Sequence, residues 1–347
     1  METNRTRAIW LFIVSGMVIG MVVLGGLVRL TRSGLSIVEW NVITGVVPPI
    51  GRAAWEAEFA KYQATPEFQK INTTMTLEEY EFIYYMEYFH RLLGRLVGLV
   101  FVLPLFYWLA RGKIKWRESG PYLLIGLGFA FQGWLGWYMV ASGLVDRPAV
   151  SHFRLTAHLL AALGLLALTF WVGLDNLLGR AAPDGSRGKS GLIGILWGIL
   201  IAYVIQVSYG GLMAGLKAGH ISTTWPLMGG EFAPGYMFTQ FGSWLENAVS
   251  EPVTVHFIHR WFAWVVLGLV VWLWLAARRG AGPRVKAGPQ VIAGTRWLLG
   301  FVGVQIALGV SVVLFNVPVS LASIHQAAAI GIFLAALYRL HEARRGS

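Results

Sequence analysis

Four histidines, His90, His158, His259 and His325, each stand a few residues inside a different strongly apolar stretch, and they form two similarly spaced pairs. His158 follows His90 by 68 residues and His325 follows His259 by 66. An ionisable side chain inside a membrane helix is costly and points to function. Two imidazoles in each pair, with no carboxylate or thiolate completing a shell, limit the chemistry. Zinc takes four protein ligands, or three and an open position, whereas a haem iron needs only one or two axial ligands. Bis-histidine haem held between helices is the economical reading. A hydrogen-bonded packing role explains a lone membrane histidine equally well, but four at matched positions argue for ligation. Arg91, Arg95 and Arg260, next to these histidines, suit haem propionates, and the 42 glycines suit close helix approach around a flat ring.

The elements that must position these residues follow from composition. Of 347 residues, 56% are hydrophobic and 13% charged, which is an integral membrane composition. A hydrocarbon core of about 30 Å takes roughly 20 helical residues. Eight stretches qualify: Ala8–Val28, Phe82–Ala110, Tyr122–Ser142, His152–Leu174, Leu192–Met213, Val253–Ala277, Val291–Leu314 and Leu321–Leu340. The first lacks a small-residue cleavage site and reads as a retained helix. The expected fold is therefore an all-α membrane protein of eight spans.

The net charge of +11 does not point to nucleic acid. Arg5 and Arg7, then Arg111, Lys113, Lys115 and Arg117, then Arg180, Arg187 and Lys189, then Arg278, Arg279, Arg284 and Lys286, and finally Arg339, Arg344 and Arg345 occupy the N-terminus, every second loop and the C-terminus. This is the positive-inside pattern, placing both termini in the cytoplasm. The histidines then lie within roughly 6–12 Å of the outer boundary, at about 1.5 Å per residue. A multi-pass protein of the cell inner membrane is expected. No cysteine is present, so any redox chemistry rests on a cofactor.

The polar stretch 179–190 reads as a cytoplasmic linker. It divides the chain into residues 1–178, with a long outer loop at 29–81, and residues 191–347. With four spans each, the halves have the same orientation, as in parallel repeats, and two pseudo-symmetric four-helix bundles are expected. At an offset of 185, Gly25/Gly210, Gly26/Gly211, Leu27/Leu212, Gly34/Gly219 and Trp40/Trp225 are identical and Arg32/Lys217 similar. Gln132-x3-Gly136 is matched by Gln305-x3-Gly309, and His90-Arg91 by His259-Arg260. The long loop mixes acids with Trp55, Phe59, Tyr62 and Phe68, either as short amphipathic helices lying on the outer membrane face or as a packed cap. His152, His220 and His341 lie at boundaries or in loops.

The halves differ three residues before the first histidine of each pair, where Glu87 stands in one and His256 in the other. That spacing puts both side chains on one helical face, so Glu87 would share the side facing a haem on His90. The set Glu87-x2-His90-Arg91, His158, His259-Arg260 and His325-Gln326, on eight spans in two halves, resembles the haem A synthase family over essentially the whole chain. The resemblance implies a permanent haem b on His259 and His325. It implies haem O as substrate between His90 and His158, its C8 methyl oxidised to a formyl group by successive hydroxylations, giving haem A for terminal oxidases. Glu87 matches the family's carboxylate near the substrate haem, as proton acceptor or as stabiliser of positive charge. The absent cysteines place the chain with the branch of mitochondria and related bacteria. Expected partners are haem O synthase, an electron-transfer partner, the bilayer and, in a homo-oligomer, further copies of the chain. The residues alone leave two alternatives: a di-haem cytochrome passing electrons from quinol, and a haem carrier.

Overall fold

A computed structural model describes residues 4–41, 44–145, 148–180, 190–279 and 289–345. The expected linker at 179–190 falls almost wholly outside these residues. Among the described residues every regular element is helical: α1 (Arg5–Leu30), α2 (Arg52–Gln63), α3 (Pro66–Lys70), α4 (Leu77–Ala110), α5 (Gly120–Ala141), α6 (His152–Leu178), α7 (Ser190–Leu216), α8 (Trp244–Ser250), α9 (Pro252–Arg279), α10 (Pro289–Leu314) and α11 (Val319–Arg345). Eight of them, α1, α4, α5, α6, α7, α9, α10 and α11, are long and apolar enough to cross a membrane. Seven of the expected spans lie within them, and the third, Tyr122–Ser142, ends one residue past α5. Large apolar side chains such as Leu103, Phe106, Leu127 and Trp197 are exposed on the spans, on faces suited to lipid rather than water.

The ends of the spans follow local chemistry. Thr76 caps α4 through a capping box, its hydroxyl accepting from Glu79 N and the Glu79 carboxylate accepting from Thr76 N, so two orphan amides at that end are satisfied. α1 and α7 end alike. Arg32 after α1 and Lys217 after α7 both take left-handed backbone at φ 57° and 55°, and these are the two cations matched at the 185-residue offset. After α1 the turn is closed by Ser33 N donating to Val28 O at 2.9 Å, the pattern that satisfies the last carbonyls of a helix.

The long loop does contain two short helices, α2 and α3, but their aromatics pack inward. Trp55 and Tyr62 are buried with Ile37, Tyr80, Ile83, Tyr84 and Tyr88 of the following span, flanked by Phe59 and Phe68. The packed-cap alternative therefore describes these side chains, because burial against α4 removes more apolar surface than an exposed helix could. Outside the spans, Lys61 ties α2 to the chain leaving α1, bridging Glu39 and Glu58 at 2.9 Å each. The Lys61 ammonium and the Asn41 amide hold the Glu39 carboxyl below its ordinary value.

The described chain divides into two compact units, Ile13–Leu166 and Met1–Phe12 with Ala167–Ser347. The division crosses α1 and α6 rather than falling at residues 179–190. In the second unit α9 packs on α7 and α10, and α11 packs on α10 and α7.

Candidate functional site

Each of the four histidines meets a glycine of a neighbouring span. A Cβ at Gly25 would lie 3.0 Å from His90 Nε2, at Gly136 3.2 Å from His158 Cε1, at Gly210 3.4 Å from His259 Cε1, and at Gly309 3.0 Å from His325 Cε1. At Gly25, Gly136 and Gly309 a Cβ would crowd the ring, and at Gly210 it would touch it, so each ring lies in a cradle made by a missing Cβ. None of the four imidazoles is fully buried. His90 and His158 thus stand against glycines of α1 and α5, and His259 and His325 against glycines of α7 and α10.

Glutamine accompanies three of the four. Gln132 Nε2 donates to His158 O at 2.9 Å and lies 3.5 Å from the ring Nε2. Gln305 Nε2 donates to His325 O at 2.9 Å and lies 3.4 Å from the ring Nε2. Gln206 Nε2 donates to His259 O at 3.0 Å and lies 3.3 Å from the ring Nδ1. Gln132 and Gln305 stood out in the sequence through their Gln-x3-Gly spacing, but Gln206 did not. The signal was there, because Gly210 follows Gln206 by the same four residues.

The two halves also share an arginine device. Arg91 donates to Glu87 Oε1 at 2.6 Å and 3.0 Å, to Ile37 O and to Glu39 O at 2.8 Å each, and lies 4.6 Å from the Trp40 ring. Arg260 reaches Pro226 O and Leu227 O at 3.3 Å, contacts His256 Nε2 at 3.2 Å, and lies 5.1 Å from the Trp225 ring. Glu87 and His256 are thus counterparts, each partnering the arginine one turn later. The other oxygen of Glu87, Oε2, accepts from Ser36 Oγ at 2.8 Å and Ile37 N at 3.0 Å. The buried Glu87 carboxylate thus accepts four hydrogen bonds, two on each oxygen. Arg95 donates to Asn41 O at 2.7 Å. All three arginines next to the histidines are therefore held by the loop that follows the first span of their half.

The remaining histidines take structural positions. His220 Nδ1 lies 3.0 Å from Asn316 Oδ1, and the His152 ring packs on Phe153. His341, fully buried, lies 2.9 Å from Asp175.

A haem fits these residues. The Nδ1 atoms of His158 and His325, the Oε1 atoms of Gln132, Gln206 and Gln305, and Arg260 Nε are buried without a hydrogen-bond partner. Among the described residues no group of three or more His, Cys, Asp or Glu is gathered, whereas paired imidazoles are what an axially ligated haem asks for.

Comparison with known proteins agrees over the whole length. Residues 8–337 match the family described as cytochrome oxidase assembly protein. A heme A synthase of Nitrosospira multiformis is 44% identical over 346 residues, covering 99% of this chain and 94% of that protein. One from Flavobacterium johnsoniae is 40% identical, covering 98% of both chains, and one from Rickettsia bellii is 41% identical, covering 94% of both. With this match over residues 8–337 and eight spans, the chain belongs to the cytochrome oxidase assembly protein family that includes the heme A synthases.

Proposed function

We propose that this chain oxidises the C8 methyl of haem O to the formyl group of haem A in a bacterial inner membrane, with both termini cytoplasmic and the haem sites near the outer face. The observation that supports it most is the set of four imidazoles in two pairs, each ring against a glycine of the neighbouring span. His90 and His158 hold the substrate haem, and His259 and His325 hold a resident haem b. That cofactor would supply a one-electron iron couple.

The protein's own residues set orientation and charge. Arg91, Arg95 and Arg260 present positive charge to the propionates, and their bonds to loop carbonyls keep the guanidinium groups in place. Glu87, one turn before His90, is held by Arg91, Ser36 and Ile37. Its role is to stabilise developing positive charge or to accept a proton at that site. The His256–Arg260 pair carries no such carboxylate, a difference that supports the first half as the place of reaction. Haem O synthase as donor of the substrate and an electron-accepting partner complete the reading.

The test is to extract the haems of purified protein and identify them by mass. Haem B together with haem O, haem A or a hydroxylated intermediate is expected. His259→Ala or His325→Ala should remove the haem B, and Glu87→Ala should keep haem bound while stopping formation of haem A. Haem B as the sole haem, in protein purified from cells that make haem O, would refute the synthase. Loss of the haem B in His90→Ala instead would reverse the two sites.

A further inference from the structure

The cradles form a fourfold pattern with one departure. Gln132-x3-Gly136 serves His158, Gln206-x3-Gly210 serves His259 and Gln305-x3-Gly309 serves His325. At the fourth place, Met21-x3-Gly25 serves His90. Met21 stands 185 residues before Gln206, the same offset that relates Gly25 to Gly210. Its methyl lies against Gly94 of α4, 3.4 Å from where a Cβ would stand. A thioether has no N–H to give, and among the described residues no side chain donates to His90 O or to its ring.

The glutamine does two things that methionine cannot. Its amide nitrogen ties the backbone of the histidine to the neighbouring span. The same nitrogen stands 3.3–3.5 Å from a ring nitrogen of that histidine. Contacts of this kind behind a ligand fix the orientation of ligating histidines. The Nδ1 atoms of His158 and His325 are buried without a partner.

We infer that Gln132, Gln206 and Gln305 are positioning residues that lock three of the four haem ligands, and that Met21 leaves His90 the one ligand able to swing off the iron. This rests on the assignment of His90 and His158 to an exchanging substrate and of His259 and His325 to a resident cofactor. A substrate haem must enter and its product must leave, so one weakly held ligand belongs at that site. The resident site has two locked ligands and retains its haem.

Carbon monoxide reads the lock directly, since it binds a reduced bis-histidine haem only after one imidazole dissociates. In purified full-length protein, Gln206→Met should speed carbon monoxide binding to the His259–His325 haem on the order of 10–100-fold, the usual scale for loss of such a partner. Met21→Gln should do the reverse in the first half, slowing carbon monoxide binding there and raising several-fold the haem O and haem A that stay bound through gel filtration. Unchanged rates in Gln206→Met, with the low-spin bis-histidine signal still present, would overturn the lock while leaving the site assignment standing. Lack of that signal in the unmodified protein would overturn the assignment and the lock together. The Gln206→Met arm stands by itself should Met21→Gln fail to fold.

Discussion

At the scale of single residues, glycine does as much for this site as histidine. A Cβ at Gly136 would press within 3.2 Å of His158 Cε1, while one at Gly133, on the same helix, meets nothing within 4 Å. Crowding of that kind forces the ring off its rotamer or the helices apart. Gly136→Leu should therefore lower haem retention in the first half on the order of 10-fold, the scale at which ligand orientation is felt. Gly133→Leu should leave retention as it is. Equal retention in the two variants, measured by pyridine haemochrome per protein, would remove the cradle from the account. The four cradle glycines, Gly25, Gly136, Gly210 and Gly309, stood out in the sequence as repeated positions, but spacing alone cannot say that they face a ring.

Among elements, the segment after α1 shows how a loop becomes part of a site. Its carbonyls and amides are taken up by Arg91, Arg95 and Glu87 of α4, and α2 is fastened to it by Lys61 between Glu39 and Glu58. Lys61 is raised and Glu39 lowered by their hydrogen bond. The depressed carboxyl contributes above its ordinary value of 4.5 and loses that contribution as pH falls through its shifted value. The raised ammonium contributes below 10.5 and loses it as pH rises further. The bridge therefore persists between about pH 5 and 10, and since both partners are partly exposed it is worth at most about 1 kcal/mol. Amide exchange of α2, corrected for intrinsic rate, should quicken between pH 5 and 3 in the unmodified protein. In Lys61→Met it should be quick throughout. A pH-independent rate in the unmodified protein would show that the aromatic cluster under α2, not the bridge, holds it down.

For the whole molecule, the boundary between units is the point where the linear reading and the packing part. The sequence divides into four-span halves at the polar linker, yet the last turns of α6 and the first turns of α1 belong to the compact unit built on α7 to α11. One anchor within that unit is His341 of α11, fully buried and 2.9 Å from Asp175 of α6, with Trp171 edge-on to its ring at 4.9 Å. Asn4 N also donates to Asn176 O at 2.7 Å. Removing the imidazole leaves a carboxylate oxygen without its partner, a loss of about 1–3 kcal/mol. His341→Ala should lower the melting temperature in detergent while leaving the spectrum of the bound haems unchanged. A changed haem spectrum would give His341 a role that its place at the far end of the span does not suggest.

The sequence by itself determined the eight spans, the duplicated order of motifs, the two histidine pairs and the family, because apolar length and fixed spacing are linear properties. It could not tell that Glu87 and His256 both serve the following arginine, that the aromatics of the long loop face α4, or that Gln206 reaches the backbone of His259. Those depend on which helix lies beside which and how each is turned about its axis. Side chains 53 residues apart, like Gln206 and His259, meet only once the spans have packed.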